Sequence, residues 1–384
     1  MAKGLYTFGS PLERALLVGV QIKKENFDFE GMMQELTSLA KSAGLLVSGS
    51  MVQKNIISTP AYFIGKGKVE ELKKIIGERD IDVIIFSCNL QPIQHRNLEE
   101  KLGVKVIDRT ELILDIFAQR AKSREGKLQV ELAQLEYLLP RLTGKGKMLS
   151  RLGGGIGTRG PGEKKLETDR RRIKKRIDFL LNQLERIKKH RQLHRKQRKK
   201  RDIFTAALIG YTNSGKSTLL NKLSGTRVYV ADKLFATLDP KVGKVFLREG
   251  KWILLVDTVG FIKNLPHTLI SAFRATLEEV QEADILLHII DAANFTEEHS
   301  VAVMKVLEEL GVTEKLIIPV FNKIDLIDSK EKLKSLARFY PDAVFISALK
   351  GIGIKELTEK LFLTITLKQH LLKSKVEDYN KTTI

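Results

Sequence analysis

The sequence predicts an α/β protein with an N-terminal α/β domain, an antiparallel helical hairpin and a doubly wound C-terminal domain. Short apolar runs alternate with helical patterns in the first third of the chain and again after residue 203, which is typical of parallel sheets. Two heptad patterns on either side of a glycine-rich loop separate these regions. We expect domains at 1–117, 118–202 and 203–368, followed by a short tail at 369–384.

The N-terminal domain is predicted from four apolar runs, ALLVGV, LLVSGSMVQ, DVIIFS and VKVID, which alternate with helical stretches. The segment FIGKGK (63–68) places two glycines and two lysines just before one of these helices. A glycine-rich turn at a helix start can bind an anion, and a plain strand-to-helix connection explains the segment equally well. Both interpretations stay open at this point.

The helical hairpin is predicted by apolar residues at alternating spacings of three and four. Before the loop at 143–162 they are Leu128, Leu132, Leu135, Leu139 and Leu142, and after it Ile173, Ile177, Leu180, Leu184 and Ile187. Because each stripe can cover the other, we expect the helices to pack antiparallel. A helix from Glu163 to Lys200 would be roughly 57 Å long at 1.5 Å per residue.

Positive charge is concentrated on this hairpin. The chain has a formal net charge of +20, and Glu163–Asp202 alone holds 18 basic and 6 acidic residues, a surplus of 12. Such a field favours nucleic acid first and an anionic membrane surface, as a weak peripheral association, second. The predicted RNA-binding residues are Arg151, Gly154, Gly155, Arg159, Lys164, Lys165, Arg170, Arg171 and Arg172.

Three features predict a cytoplasmic protein. Cys88 is the single cysteine, so no intrachain disulfide can form, and its apolar surroundings indicate an inert buried thiol. No run approaches 18 uninterrupted apolar residues, and the N-terminal MAKGLYTFGS lacks the apolar core of a signal peptide. We also expect the chain to be a monomer.

A phosphate-binding motif follows the predicted strand AALIG. Gly210, Gly215, Lys216 and Ser217 satisfy the pattern G-x-x-x-x-G-K-[ST] between a strand and a helix. Here the backbone N–H groups and the helix start bind phosphates, Lys216 neutralises the β- and γ-phosphates, and Ser217 offers a hydroxyl to Mg²⁺. The predicted phosphate-binding residues are Gly210, Tyr211, Thr212, Asn213, Ser214, Gly215, Lys216, Ser217 and Thr218.

Two further segments complete the predicted phosphate site. Asp257 ends the strand WILLVD, where its carboxylate can reach Mg²⁺ through water, and the N–H of Gly260 can bind the γ-phosphate. Thr237, in FATLDP, suits a switch loop whose threonine binds Mg²⁺ and the γ-phosphate. We therefore assign catalytic roles to Lys216, Thr237 and Gly260.

The base-binding end is predicted from IIPVFNKID. The Asp325 carboxylate can accept both N–H groups on the Watson–Crick edge of guanine, which adenine does not present, so GTP and GDP are favoured over ATP. Asn322 would hold the neighbouring base edge and loop, and the Lys323 stem would cover the ring. A backbone N–H in AVFISALKG could reach the guanine oxygen. The predicted base-binding residues are Asn322, Lys323, Asp325, Ser347, Ala348 and Leu349.

In this order the motifs resemble the translation-factor-like class of P-loop GTPases. One residue departs from its best-known members: Phe261 follows Asp-Thr-Val-Gly, where many carry the glutamine that orients the attacking water. We expect slow intrinsic hydrolysis that depends on a partner or on backbone positioning. Asn213 matches relatives that bind K⁺ beside the phosphates through an asparagine, although it could also simply brace the loop.

Nearly the whole chain resembles the HflX family of ribosome-associated bacterial GTPases, through RALLVGV, TPAYFIGKGKVEEL, the block DRTELILDIFAQRAKSREGKLQVELAQLEYLLPRL and GGIGTRGPGE. The resemblance implies binding to the large ribosomal subunit, a hairpin loop directed toward rRNA at the peptidyl-transferase centre, and splitting of stalled or idle ribosomes. It also implies ribosome-stimulated hydrolysis. Some relatives carry a further C-terminal domain, for which we expect no counterpart.

Two alternatives remain at this stage. The first is a non-catalytic RNA-binding regulator whose GTPase domain is a slow timer, and subunit-stimulated turnover would distinguish it. The second is an ATP-driven RNA remodeller. Asn322, Lys323 and Asp325 argue against a site that ignores guanine, but FIGKGK leaves a second nucleotide site in the N-terminal domain open.

Overall fold

Two mainly parallel sheets form the framework of the described part of the chain. The computed structural model describes residues 12–22, 28–56, 59–142, 161–200, 203–225, 234–263, 269 and 273–382. The inner strands of both sheets are near-continuous runs of Val, Ile and Leu, as expected for sheets covered on both faces. The predicted fold class is confirmed: an α/β N-terminal region, a helical hairpin and a doubly wound C-terminal region.

The N-terminal sheet has the strand order β2-β1-β3-β4, and its neighbouring strands are parallel. Its strands are β1 (Arg14–Ile22), β2 (Leu46–Ile56), β3 (Val83–Phe86) and β4 (Lys105–Asp108). The helices of this region are α1 (Phe29–Ser42), α2 (Lys66–Arg79), α3 (Pro92–Leu102) and α4 (Arg109–Arg120). Local sequence signals set several helix starts: the Asp28 carboxylate accepts the N–H of Gly31, and Pro92 occupies the first turn of α3.

The helical hairpin consists of α5 (Arg124–Arg141) and α6 (Pro161–Lys200). The segment before the loop forms two helices, α4 and α5, because Ala121 leaves the helical conformation and a new helix begins at Arg124. Glu125 pairs with Arg191 and Glu131 with Arg176. Since the partner number falls as the number along α5 rises, the two helices run antiparallel.

The predicted apolar stripes on the two hairpin helices, or seams, differ in burial. On α6, the predicted residues from Ile173 to Ile187 are among its least exposed, and Leu180 is fully buried. On α5 the seam prediction is incomplete, because a second stripe that includes Val130, Ala133 and Tyr137 is more deeply buried than most of the predicted leucines. This stripe leads to Arg141, whose guanidinium binds the buried Asp108 carboxylate at 3.1 Å. Heptad spacing alone does not reveal a helix that packs on two sides.

The C-terminal sheet has the order β10-β9-β8-β5-β7-β6, parallel except for the antiparallel edge strand β6. Its strands are β5 (Thr205–Ile209), β6 (Lys241–Phe246), β7 (Trp252–Asp257), β8 (Ile285–Asp291), β9 (Leu316–Asn322) and β10 (Val344–Phe345). The helices are α7 (Lys216–Ser224), α8 (Arg274–Glu282), α9 (Glu297–Glu309), α10 (Lys330–Phe339) and α11 (Ile354–Thr382). Apolar side chains of β5, β7, β8, β9 and of helices α7 and α11 form one core.

The chain divides into two compact units. One comprises Met1–Ala121, Lys127–Leu184 and Pro266–Ala272, and the other comprises Lys122–Gly126, Glu185–Leu265 and Phe273–Ile384. Each hairpin helix therefore contributes residues to both units, and the domain boundaries expected at 117, 202 and 368 stay predictions. In the described ranges, none of the helices has the length and apolar character needed to cross a membrane.

Candidate nucleotide-binding site

The site lies where the strand order of the C-terminal sheet reverses. Strand β5 is central, and the chain adds β6 and β7 on one side before it adds β8 on the other, which opens a crevice at the carboxyl ends. Gly210 and Gly215 line the loop that follows β5. Both have positive φ, 150° and 93°, and an added Cβ would meet the Ile289 carbonyl oxygen or the Asn322 amide at 2.2 Å. Only glycine allows this close approach.

Lys216 begins helix α7 and is almost fully buried. Its ammonium donates to the carbonyl oxygens of Tyr211 at 2.7 Å and Gly210 at 3.1 Å, which holds the loop closed around it. Burial lowers the pKa of Lys216 to about 8, against the opposing attraction of Asp257 and with a smaller contribution from Lys323. An anionic ligand beside this ammonium would favour its charged form.

Three oxygen-bearing side chains from separate elements converge beside the loop. The Ser217 hydroxyl lies 2.6 Å from Asp257 Oδ2 and 2.8 Å from the Thr237 hydroxyl, which itself lies 2.9 Å from that carboxylate oxygen. Burial raises the pKa of Asp257 against these hydrogen bonds and the nearby lysines. Among the described residues, Asp257 Oδ1 is buried with no hydrogen-bond partner.

This arrangement fits Mg²⁺. The ion prefers oxygen ligands and is usually held by few protein groups, together with substrate phosphates and water. Two hydroxyls and a carboxylate with an unused oxygen provide such a set. Within the described ranges, His, Cys, Asp and Glu form no group of three or more that could hold a metal by themselves.

The segment after β7 packs tightly against the phosphate loop. An added Cβ on Gly260 would meet Thr212 Cα at 2.6 Å. The Phe261 N–H donates to the Gly210 carbonyl at 3.0 Å, and the Phe261 carbonyl accepts the Thr212 N–H at 2.8 Å. The Phe261 side chain is 1 % exposed, so an apolar ring is buried directly after Gly260.

Tyr211 joins the phosphate loop to the residues beyond Phe261. Its hydroxyl accepts the N–H of Lys263 at 3.0 Å, and its ring stacks on His299 with centroids 4.0 Å apart. The Lys263 ammonium in turn pairs with Glu298. The first turn of α9 thereby supports the segment that follows Gly260.

Asn322 holds two loops together. Its amide nitrogen donates to the Ser214 carbonyl and its amide oxygen accepts the Ala348 N–H, both at 2.9 Å. The side chain is 2 % exposed. The structure therefore places it between the phosphate loop and the loop of Ser347, Ala348 and Leu349, so that its amide braces both loops, and its contact with a base stays a prediction.

Asp325 and Lys323 lie beside this brace. The Asp325 side chain is 6 % exposed, and its Oδ2 lies 3.7 Å from the ammonium of the more exposed Lys350. Lys323 has a left-handed backbone, φ 64°, and its ammonium binds Asp291 Oδ2 at 2.8 Å. Sequence reasoning missed Asp291, although its position at the end of the apolar run ILLHIID was a usable signal.

The structure brings most of the predicted phosphate-site residues together around one pocket. The residues that line it are Thr212, Asn213, Gly215, Lys216, Ser217, Thr218, Phe235, Ala236, Thr237, Thr258 and Gly260. Phe235, Ala236 and Thr258 were not predicted, because they contribute to the walls rather than to a motif. Asn213 is exposed at the pocket and has a left-handed backbone, φ 61°.

The predicted RNA-binding residues are described only in part. Arg151, Gly154, Gly155 and Arg159 lie outside the described residues, and Lys164 and Lys165 lie in α6 without described side chains. Arg170 is half-buried. The Arg171 and Arg172 side chains are 72 % and 78 % exposed and pair with Glu167 at 2.7 Å and Asp169 at 3.7 Å.

Three family models match consecutive parts of the chain. They describe the N-terminal region of GTP-binding GTPases (residues 30–118), their middle region (120–198) and a 50S ribosome-binding GTPase (205–323). GTPase HflX of Caldanaerobacter subterraneus subsp. tengcongensis is 51 % identical over 350 residues, which cover 91 % of this chain and 80 % of that protein. This chain belongs to the HflX family. GTPase HflX of Escherichia coli K12 is 44 % identical over 94 % of this chain and 85 % of its own.

A solved structure agrees with this placement. The GDP complex of the protein called SsGBP is 28 % identical, with a TM-score of 0.50, and the match covers 93 % of this chain and 99 % of the other. The chain is thus a guanine-nucleotide-binding, GTP-hydrolysing enzyme of the HflX family. Its P-loop fold is one that typically uses Mg²⁺.

Proposed function

We propose that this enzyme binds the large ribosomal subunit and splits stalled or idle ribosomes, with hydrolysis stimulated by the ribosome. The observation that carries the proposal is a long basic helix, α6, on the same chain as the guanine-nucleotide site. Arg171 and Arg172 present exposed guanidinium groups on that helix. The family model that matches residues 205–323 is itself described as a 50S ribosome-binding GTPase.

We assign the nucleotide site as follows. Backbone N–H groups from Gly210 to Thr218 bind the phosphates, and Lys216 neutralises them at the helix start. Ser217 and Thr237 would hold Mg²⁺ directly and Asp257 through water, and the bound ion would supply charge neutralisation at the β- and γ-phosphates. The base end consists of Lys323, Asp325 and the loop of Ser347, Ala348 and Leu349, held in place by Asn322.

The buried Phe261 supports a partner-dependent reaction. Because its side chain is apolar and packed away, it cannot hydrogen-bond to an attacking water. The N–H of Gly260 remains the nearby group for the γ-phosphate. The ribosome would then supply or position what the glutamine supplies elsewhere, and the free protein should hydrolyse GTP slowly.

We retain K⁺ as a proposed second cation, held in part by Asn213. The residue lines the phosphate pocket and is exposed. Hydrolysis measured in KCl and in NaCl at equal ionic strength tests this assignment. A rate advantage in K⁺ that Asn213→Ala removes would support it, and equal rates in both salts would contradict it.

We propose that the hairpin loop at 143–162 and the neighbouring part of α6 contact rRNA near the peptidyl-transferase centre. Contacts from arginines and glycine backbone would be directed mainly to phosphates and 2′-hydroxyls, so that shape rather than sequence is recognised. We further propose that the enzyme is a monomer in the cytoplasm, partly ribosome-bound, with at most a weak peripheral association with membranes.

Light scattering of purified 70S-type ribosomes tests the function directly. Adding the protein with GTP or with a non-hydrolysable analogue should lower the scattering as subunits separate, and GDP should give much less change. Lys216→Ala, which removes the phosphate-binding cation, should abolish the effect. Unchanged scattering, with no stimulation of GTP hydrolysis by 50S-type subunits, would point to a passive RNA-binding regulator instead.

A salt titration of subunit binding tests the basic helix. Arg170→Ala, Arg171→Ala and Arg172→Ala combined should weaken binding to 50S-type subunits and reduce the slope of log K against log[salt] by roughly 0.7–0.9 for each RNA phosphate that is no longer neutralised. The matched control replaces Lys330, Lys334 and Arg338, three exposed cations on α10, by alanine. Equal slopes for the two triple variants would remove α6 from the proposal.

A further inference from the structure

The loop that carries Thr237 is attached to the start of the hairpin. Two residues after Thr237, the Asp239 carboxylate accepts the backbone N–H of Lys122 at 3.0 Å and of Ser123 at 2.8 Å, and the Ser123 hydroxyl donates to it as well. Ser123 Oγ accepts the N–H of Gly126 at 2.8 Å. Asp239 and Ser123 therefore cap α5 together and place a negative charge at its positive end.

The contact is closely fitted. A Cβ added to Gly126 would meet Asp239 Oδ1 at 2.3 Å, so a larger residue in the first turn of α5 would displace the carboxylate. Glycine lowers helix propensity, and its position here coincides with the one place where a carboxylate from a distant loop must approach. In the sequence SREG (123–126), the serine binds the Asp239 carboxylate and the glycine leaves room for it.

The backbone between Thr237 and Asp239 is short, so a contact that fixes Asp239 also fixes Thr237. Leu238, between the two residues, is 4 % exposed, and Pro240 restricts the backbone of Asp239. Adjacent Cα atoms are about 3.8 Å apart, so a displacement of Asp239 is passed on to Thr237. Thr237 in turn lies within hydrogen-bonding distance of Ser217 and Asp257.

The second hairpin helix is held at the same end. The Arg191 guanidinium on α6 binds Glu125 of α5 at 2.9 Å and Glu278 of α8 at 2.8 Å, with 19 % of its side chain exposed. All these residues belong to the compact unit that contains the nucleotide site. Both hairpin helices are therefore tied at their base to segments that follow the phosphate loop.

We propose that Asp239 is a positioning residue for GTP hydrolysis, which holds Thr237 at the Mg²⁺ site by binding the start of α5. The proposal rests on the proposed role of Thr237. Linkage makes the coupling reciprocal: whatever stabilises the start of α5 stabilises the GTP-binding loop, and bound GTP stabilises the hairpin base by an equal free energy. A partner that binds the hairpin could thus act on hydrolysis without touching the nucleotide.

Intrinsic GTP hydrolysis by the full chain, without ribosomes, tests this coupling. Asp239→Ala, Ser123→Ala and Gly126→Ala should each lower kcat, by about 10- to 100-fold for the first, because small misplacement of a reacting group has such effects. Affinity for a GTP analogue should fall several-fold while affinity for GDP stays within twofold. Thr237 is proposed to contact the γ-phosphate and the Mg²⁺ beside it, and GDP lacks that phosphate.

Two controls separate positioning from folding. Ser329→Ala removes a hydroxyl that caps α10 in the same unit and should leave kcat unchanged. The double variant Ser123→Ala with Asp239→Ala should have a kcat only slightly below that of Asp239→Ala alone, because both substitutions remove the same connection. Equal losses of GDP and GTP-analogue affinity, or additive losses of kcat, would overturn the proposal.

Thr237→Ala distinguishes the two levels of inference. If it lowers kcat and the Asp239 variants do not, the coupling is wrong and the site assignment stands. If Thr237→Ala has no effect, the assignment of the site is wrong, and the coupling fails with it. Neither result depends on whether the chain binds ribosomes, because ribosomes are absent from the assay.

Discussion

Asp108 and Asp257 each end a parallel strand in their own sheet, and both are fully buried, yet their oxygens are used differently. Asp108 accepts the N–H groups of Leu90 and Glu111 and the guanidinium of Arg141. Asp257 uses one oxygen for two hydroxyls, and its other oxygen has no partner among the described residues. The satisfied carboxylate stabilises the fold, and the half-satisfied one is available to a ligand.

The comparison extends to Asp325, which follows strand β9. This carboxylate is also well buried, and its described polar neighbour is the exposed ammonium of Lys350, 3.7 Å away. The carboxylates that we propose to read the base and to hold the metal thus share incomplete use of their oxygens. Burial alone does not separate Asp108 from Asp257 and Asp325. The number of internal hydrogen bonds that each carboxylate accepts does separate them.

The largest effect is expected for Asp108→Ala. Removing this partner leaves two backbone N–H groups unpaired and a mostly buried guanidinium without its carboxylate, so the free energy of unfolding should fall by about 3–5 kcal/mol. Urea unfolding of the full chain measures it. Glu70→Ala, which breaks a surface pair with Lys101, is the matched control and should change little. Nucleotide affinity should survive in folded Asp108→Ala protein.

For Asp257→Asn we expect the opposite of Asp108→Ala, namely a loss of activity without a loss of stability. At saturating GTP and Mg²⁺, kcat should fall by about 10²- to 10³-fold, because a charge near the reacting phosphates is lost. Thermal stability should stay the same or rise: the raised pKa of Asp257 shows that folding disfavours its charged form. A loss of stability as large as that of Asp108→Ala would break the comparison.

A smaller loss, about 10²-fold in GTP affinity, is expected for Asp325→Asn, because hydrogen bonds to charged groups contribute about 1.5–3 kcal/mol each. The asparagine amide can donate to a carbonyl where guanine carries an amino group, so xanthine nucleotides should bind the variant better than the parent. Competition against a fluorescent guanine nucleotide measures both. Intact GTP preference would mean that the base pocket is assigned wrongly.

The smallest effect is a pH dependence at Lys216. With its pKa lowered to about 8, its charge is lost as pH rises through that value, so GTP affinity should weaken by up to about tenfold per unit above pH 8. Guanosine, which has the same base and no phosphates, is the control for base ionisation.

The same group predicts an opposite trend in stability. Because folding lowers the pKa of Lys216, the unfolded chain binds more protons between pH 8 and the ordinary lysine value, and this group makes the nucleotide-free protein more stable as pH rises there. Unfolding in urea at several pH values measures the trend, and Lys216→Met should flatten it. A trend that persists in Lys216→Met would assign it to another group.

Sequence patterns were sufficient for the parts of the site built from contiguous residues. Gly210, Gly215, Lys216 and Ser217 lie in one loop, and their spacing carries their chemistry. The position of Asp257 followed from the apolar strand that it ends. The α5 seam was only partly predictable, because a stripe that packs on a second surface has no spacing of its own to mark it.

The sequence by itself determined the two sheets, the hairpin, the phosphate loop and the guanine motif, since each depends on periodicity or short-range spacing. Only the tertiary structure decided that Asn322 braces Ser214, 108 residues away, that Asp291 holds Lys323, 32 residues away, and that Asp239 binds Ser123, 116 residues away. Such contacts form when distant segments are packed together, and no local pattern of side chains encodes which polar groups then meet.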